Sequence, residues 1–181
     1  VARCRSMNRR LLALIGLGVL LVLAGCLGGS GPSGEQLRED ADYDWNTSAN
    51  GTLQLGGDSY TAVYEIHNTS QLDLYQRDTF NNREPLPISA LQFRYPNGTV
   101  VDASAFDIST NAERIRLEPP NRTGKIAYSV EQNGKAVQTA TFVDGSYEVV
   151  LPPNTDVGVP ILSNVAPGGY ETETIDGQVH I

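Results

Sequence analysis

The chain contains few residues of the kinds that disulfides, metal sites and many active sites require. Of its 181 residues, only two are cysteine and two are histidine. The histidines, His67 and His180, lie far apart, so they lack the short spacing of a helical metal-binding pair. A glycine-rich phosphate loop and the G-x-S-x-G motif are also missing. We therefore predict no catalytic residue, metal site or cofactor, although a serine–histidine–carboxylate set built from distant residues stays open.

The longest apolar run is too short to favour a membrane span. Residues 11–24 form an uncharged stretch of 14 residues that follows Arg9 and Arg10. A spanning helix needs about 20 apolar residues, whereas the apolar part of a signal peptide needs about 7–15. The run predicts a signal peptide over residues 1–25, and an uncleaved N-terminal anchor is the alternative.

Four residues at the end of this run, Leu23, Ala24, Gly25 and Cys26, resemble the lipobox of bacterial and archaeal lipoproteins. The resemblance implies cleavage before Cys26 and attachment of a lipid to its thiol. It predicts a location at the extracellular face of the cell membrane. Residues 1–6 precede Met7 and are interpreted as an incorrectly assigned start, in which case Cys26 is the sole cysteine and no internal disulfide forms.

Acidic residues outnumber basic ones. Four of the 13 basic residues precede Cys26, so a chain cleaved there holds 9 basic and 21 acidic residues, a formal net charge of −12. Such an excess, with only two lysines, is typical of proteins from halophilic archaea, in which concentrated salt screens the repulsion. An ordinary acidic secreted domain is the alternative. The charge argues against nucleic-acid binding, which needs a basic surface.

Five N-x-S/T sequons follow the predicted cleavage site. Their asparagines are Asn46, Asn50, Asn68, Asn97 and Asn121. Each lies in a stretch that we interpret as turn or loop, where a glycan can be accommodated. Because the same residue types are ordinary turn formers, the motifs predict candidate sites of N-glycosylation and do not identify which are used.

Apolar and polar residues alternate with a period of two from about residue 52 onward. In residues 59–67 one face holds four alternate residues: Tyr60, Ala62, Tyr64 and Ile66. This alternation is typical of an antiparallel sheet with one buried face. Asn-Gly at 97–98 and Asp-Gly at 144–145 predict chain reversals. We predict an all-β fold, an antiparallel β-sandwich of Ig-like or Greek-key type, after the N-terminal signal and anchor segment.

The boundaries of the predicted domain follow from composition. Residues 26–42 begin with Cys26, continue through a glycine-rich stretch and lack an apolar stripe, which predicts a lipidated cysteine and a flexible tether. The sandwich then spans residues 43–181. Its last predicted strand, residues 178–181, is short, so a complete edge strand and a truncated domain both remain open.

Three further segments resemble a family of haloarchaeal surface lipoproteins without an assigned activity. They are FRYPNGTVV at 93–101, GSYEVVLPP at 145–153 and PGGYET at 167–172. The resemblance extends over residues 7–181. The resemblance implies that members of this family have a membrane helix at the C-terminus. It assigns no catalytic residue.

These observations predict a membrane-anchored lipoprotein whose β-sandwich has a non-catalytic binding or envelope-structural role. Its expected partners are the membrane, through the lipid, and an envelope protein or glycan. The alternatives are a surface hydrolase and the extracellular sensor portion of a longer membrane protein. A hydrolase would need His67 or His180 within hydrogen-bond reach of both a carboxylate and a serine. Trp45 is expected to pack over one end of the sandwich.

Overall fold

The computed structural model describes residues 31–132, 140–153, 171–175 and 177–181. Asn-Gly at 133–134 and Asp-Gly at 176–177 also predict chain reversals, but residues 133, 134 and 176 lie outside the described residues, as do the predicted signal peptide and Cys26. Within the described ranges, no helix has both the length and the apolar character needed to cross a membrane.

Strands make up most of the regular structure. In chain order the elements are helix α1 (Gly34–Leu37) and strands β1 (Gly51–Leu55), β2 (Ser59–Ile66), β3 (Leu72–Arg77), β4 (Arg83–Pro85), β5 (Ile88–Arg94), β6 (Val100–Asp102), β7 (Asp107–Thr110), β8 (Ile115–Glu118), β9 (Gly124–Glu131), β10 (Tyr147–Val150), β11 (Glu173–Ile175) and β12 (Gln178–His180), with a 3-10 turn (Ala103–Ala105) between β6 and β7.

The strands form two sheets. The larger has the strand order β11-β12-β10-β1-β2-β9-β5-β6, and the smaller has the order β4-β3-β8-β7. The predicted β-sandwich is confirmed. One pair of strands, β1 and β10, runs parallel, whereas β1 pairs with β2 in the antiparallel direction. The sequence analysis did not anticipate the parallel pair, because alternation reports which face is buried and not which way the neighbouring strand runs.

The main core lies between the two sheets. The larger sheet contributes Tyr64, Phe93 and Tyr128, and the smaller sheet contributes Leu74 and Leu117, all of them fully buried. Each large side chain removed from water in this way contributes about 1.5–3 kcal/mol of transfer free energy. The four alternate residues predicted to share a face of β2 all belong to this core, so that prediction is confirmed.

A second, smaller cluster covers the outer face of the larger sheet. Val63, predicted on the polar face of its strand, is only 4 % exposed, and Ala127 on the neighbouring strand is fully buried. Both pack with Tyr43, and Trp45 packs against the same cluster. The predicted polar face is therefore partly apolar, because the segment before β1 crosses it. Period-two analysis of β2 alone gives no information about such a covering segment.

A β-bulge in β5 fixes the position of this covering segment. The pairing of β5 with β9 shifts between Ser89 and Gln92, and Ala90 adopts a left-handed backbone with φ of 51°. A bulge leaves a backbone group without its partner in the ladder. The Tyr43 hydroxyl donates to the Ala90 carbonyl at 2.8 Å and lies 3.0 Å from Ser129 Oγ.

The packed domain begins before residue 43, within the segment predicted as a tether. Ser33 and Gln36 form a capping box, in which each side chain hydrogen-bonds the backbone of the other at the start of α1. Leu37 at the end of this single turn is buried in the main core. A single apolar residue in one helical turn does not form an apolar stripe. The sequence therefore did not indicate that this turn packs against the core.

The last two strands form a hairpin that adds to the larger sheet. β11 pairs antiparallel with β12, and Val150 of β10 pairs with His180 of β12. Gly177 in the turn has φ of 80°, a conformation that favours glycine. The sequence also predicts a strand over residues 170–175. In the structure this strand begins at Glu173, and Tyr170 lies outside the described residues.

Candidate functional site

Three charged residues stand side by side on the outer face of the larger sheet. Lys125 of β9 pairs with Glu65 of β2 on one side and with Arg94 of β5 on the other. Their chain neighbours Tyr64, Ile126 and Phe93 point into the core, so these three side chains project outward. The sheet register thus brings together residues that are far apart in sequence.

Lys125 uses its charge to hold the segment that carries Trp45. Its Nζ donates to the Trp45 carbonyl at 2.9 Å and to Thr47 Oγ1 at 2.9 Å, and the Thr47 carbonyl lies 3.4 Å away. Three oxygen acceptors around one ammonium satisfy its donors without a carboxylate partner. Lys125 is therefore a positioning residue for Trp45.

Tyr43 fixes the other side of Trp45. The two rings meet edge to face, with centroids 5.8 Å apart and planes at 77°, an arrangement favoured by the ring quadrupoles. Burial raises the pKa of the Tyr43 hydroxyl, and its hydrogen bond with Ser129 opposes this only in part. The hydroxyl therefore stays protonated and keeps donating to the bulge. Trp45 packs against the outer face of the larger sheet, and its expected position over one end of the sandwich stays a prediction.

An open groove of about 240 Å³ lies against Trp45, which we call the end groove. Its lining residues are Trp45, Glu65, Arg94, Tyr95, Pro96, Gly98, Thr123, Gly124 and Lys125. Small-molecule pockets usually measure about 300–1,000 Å³. The end groove is therefore suited to one small group, or to one unit of a longer chain.

Arg94 is the charged group of the end groove that is most available to a ligand. Among the described residues, its guanidinium has no hydrogen-bond acceptor and no ion-pair partner. Glu65 Oε1, in contrast, lies 3.4 Å from His67 Nε2, and Lys125 is held by Trp45 and Thr47. A guanidinium offers a planar fork of donors that matches a carboxylate. The end groove can thus bind an anionic group beside an aromatic ring.

Among the described residues, neither histidine side chain hydrogen-bonds a serine. His180 Nδ1 lies 2.7 Å from Glu148 Oε1, and Ser48 Oγ lies 3.5 Å from the other oxygen of that carboxylate. The serine therefore meets the carboxylate and not the imidazole, in contrast to the order that nucleophile activation requires. His67 is exposed beside Glu65. Within the described residues, no group of three or more metal-ligating side chains is found.

All five sequons lie at the end of the larger sheet that holds the end groove, which we call the sequon end. The register of the strands shows that β1 and β9 start at this end of the sheet and that β2 and β5 finish at it. Asn50 directly precedes β1, Asn68 follows β2, Asn97 follows β5 and Asn121 precedes β9. The Lys125 contact with Thr47 brings Asn46 to the same end.

Hydrogen bonds connect the loops of the sequon end. Thr69 N donates to the Arg122 carbonyl at 2.9 Å, and Asn68 N lies 3.5 Å from Thr123 Oγ1. In the β5–β6 reversal, Gly98 has φ of 90° and its N–H donates to the Tyr95 carbonyl at 2.9 Å, which confirms the predicted turn. Sequence analysis found the five asparagines but missed Arg94, because the register that places it beside Lys125 cannot be read from one strand.

Comparison with known proteins places the chain in a family. Residues 47–181, which include every residue of the end groove except Trp45, match a family described as of unknown function (DUF5803). No curated protein and no solved structure matches the chain. The family match agrees with the resemblance to proteins without an assigned activity. Since the match covers most of the sequence, the chain belongs to this family of unknown function, DUF5803.

Proposed function

We propose that the protein is a surface lipoprotein, held at the extracellular face of the cell membrane by a lipid on Cys26, whose β-sandwich binds an acidic saccharide without catalysis. The lipobox resemblance at residues 23–26 and the apolar run of 14 residues support the anchor. The formal charge of −12 after cleavage at Cys26 supports an origin in a halophilic archaeon.

The observation that carries the binding role is the guanidinium of Arg94, which has no partner among the described residues and lines the end groove together with Trp45. A uronic acid unit has a carboxylate that Arg94 can take with two parallel hydrogen bonds. Its ring offers C–H groups that can lie against the indole of Trp45. Glu65 can accept a hydrogen bond from a sugar hydroxyl. The size of the groove fits one such unit of a polymer.

The contacts of His180 support a role without catalysis. Its imidazole is joined to Glu148 on β10, and this contact ties the last strand to the sheet. Neither residue lines the end groove. The proposed saccharide site therefore holds no histidine, and the groove supplies a cation, a carboxylate and an aromatic ring.

The test uses Trp45, the single tryptophan of the chain, as a fluorescent reporter in the groove. The full-length protein in detergent is titrated with uronic acid oligomers and with neutral glucose oligomers of the same length. We expect saturable quenching with the acidic oligomers only. Arg94→Ala should weaken binding about tenfold, equivalent to about 1.4 kcal/mol, and added salt should weaken wild-type binding because it screens the ion pair.

Arg122→Ala is the matched control, because Arg122 is exposed at the same end but does not line the groove. Its affinity should equal that of the wild type. Equal loss in the two variants would show that nearby positive charge matters and not the groove. Saturable binding of neutral oligomers, or no binding of either kind, would contradict the acidic saccharide as ligand and favour an envelope protein as partner.

A further inference from the structure

The five sequons differ in how far the fold exposes their two reacting side chains. N-glycosylation needs an asparagine amide nitrogen that can reach the donor, and a Ser or Thr hydroxyl two residues later that the transferase can contact. Whether the folded structure leaves both groups open can be compared site by site. The exposure of these groups does not depend on the end groove. Glycosylation requires only that the domain is exported, as proposed.

Asn97 and Asn121 share one open geometry. Asn97 Oδ1 accepts from Thr99 N at 3.0 Å, and Asn121 Oδ1 accepts from Thr123 N at 3.0 Å. Both asparagines and both threonines are exposed. This local turn fixes the carbonyl oxygen of the side chain, and Nδ2 of each asparagine donates to no described residue. In both sequons, the asparagine and the threonine that carries the hydroxyl are thus exposed on one turn.

Asn50 has the opposite geometry. Its Oδ1 accepts from Ser146 N at 3.1 Å and from Ser146 Oγ at 3.3 Å. Gly145 packs so closely against the amide that a Cβ there would overlap it. The hydroxyl of its sequon, Thr52 Oγ1, is buried within β1, between β2 and β10. The folded domain therefore buries the hydroxyl of this sequon, and it packs Gly145 and Ser146 against the side-chain amide of Asn50.

We infer that the folded protein is N-glycosylated at Asn97 and Asn121 and is not glycosylated at Asn50. In the reaction, Nδ2 of the asparagine attacks the anomeric carbon of a lipid-phosphate-linked oligosaccharide. A C–N bond forms as the C–O bond to phosphate breaks, the phosphate leaves with the electron pair, and Nδ2 loses one proton. The transferase is a separate enzyme, and the glycan is added to the exported domain.

Asn46 and Asn68 are exposed at the same end of the sheet. Their sequon hydroxyls belong to Ser48 and Ser70, which are exposed as well. Glycans at Asn97 and Asn121 would stand next to the end groove, because Pro96, Gly98 and Thr123 line it. They would therefore limit the size of the ligands that reach the groove.

The test is site-resolved mass spectrometry of the protein purified from the cells that naturally produce it. Thr99→Ala and Thr123→Ala remove one sequon each and keep the asparagine turn, since the backbone N–H is the donor. Each should lose the mass of one glycan. Thr52→Val, which keeps the shape of a buried side chain, should lose none.

A glycan on Asn50, or unmodified Asn97 and Asn121 in the wild type, would overturn the inference. The same spectra give the N-terminus of the chain. An unmodified chain that begins at Cys26 would contradict glycosylation while leaving export intact. An unmodified chain that keeps residues 7–25 would contradict glycosylation and the proposed lipoprotein maturation together.

Discussion

Asp73 of β3 is held by two arginines from the adjoining strand region. Arg116 donates from Nε to Oδ1 at 2.8 Å and from a terminal nitrogen to Oδ2 at 3.1 Å, and Arg114 Nη1 lies 3.4 Å from Oδ2. The hydrogen bonding from Arg116, aided by the charges of both arginines and opposed by partial desolvation, holds the pKa of the Asp73 carboxyl below its ordinary value of 3.8.

Asp73→Asn should lower the free energy of unfolding by about 1 kcal/mol at neutral pH, because the pair is cross-strand and bidentate but partly exposed to solvent. The folded-state pKa is depressed, so the stabilisation is fully present above the unfolded pKa and is lost as the pH falls below 3.8 through the folded pKa. Urea unfolding of both proteins across this range measures the difference.

Asp107→Asn is the matched control, because Asp107 is exposed on β7 of the same sheet. Its stability should follow that of the wild type at every pH. A difference between Asp73→Asn and the wild type that stays constant into acid would contradict an ionic origin and point to packing.

At the scale of the single residue, sequence reasoning gave the inward-facing positions but not the interactions of polar side chains. Ile115 and Leu117 were predictable from the alternation in β8, and they are buried. Arg94 was not predictable as a site residue, because its importance depends on its neighbours in β9 and on the covering segment. Those contacts are set by register and chain path, which a period of two does not encode.

At the scale of the element, the segment that contains Ala41, Tyr43 and Trp45 lies before β1 and crosses the larger sheet, and we call it the brace. Gln92 Nε2 donates to the Ala41 carbonyl at 2.8 Å, Tyr43 fills the bulge of β5, and Lys125 binds the carbonyl of Trp45. Three strand-borne contacts therefore fix a segment that has no regular structure of its own. Asp and Asn residues interrupt its sequence, so its apolar residues show no regular period. The brace therefore could not be predicted from the sequence.

Tyr43→Phe should loosen this brace. The substitution removes the donor to the Ala90 carbonyl and leaves that buried acceptor without its partner, which should lower the free energy of unfolding by about 1 kcal/mol. Because Trp45 packs edge to face on the Tyr43 ring, its emission should also shift. Urea unfolding and fluorescence spectra measure the two effects.

Tyr75→Phe serves as the comparison, because the Tyr75 ring contacts Phe142 and Arg83 away from the brace. It should leave the Trp45 emission unchanged. Unaltered stability and unaltered emission in Tyr43→Phe would show that the bulge carbonyl finds another donor and that the brace does not depend on the tyrosine hydroxyl.

At the scale of the whole molecule, the described domain has two structurally different ends. The sequon end holds the groove and the five asparagines. Gly31, where the described chain begins, packs closely against Thr110, and Thr110 pairs with Ile115 at the start of β8. The other end of β8 leads through two prolines to Asn121. The described chain therefore begins at the end of the domain opposite the sequon end.

The fold class was predictable because a sandwich repeats one simple pattern many times. The inward residues of β2 and β9 alternate as two-layer packing requires and are buried as expected: Tyr60, Ala62, Tyr64 and Ile66 in β2, and Ile126, Tyr128 and Val130 in β9. The order of strands and the parallel pairing of β1 with β10 were not predictable. Both depend on which strands pair over long distances in the chain. The strands have nearly the same alternation of apolar and polar residues, so this alternation does not specify their partners.

The most direct test of the account is the intact mass and membrane partition of the wild-type protein beside Cys26→Ser. We expect a mature chain that begins at Cys26, carries the mass of a lipid and sediments with membranes. Cys26→Ser should be unprocessed or released into the medium. A wild-type mass without lipid, together with a Cys26→Ser protein that still sediments with membranes, would contradict the proposal of a surface lipoprotein.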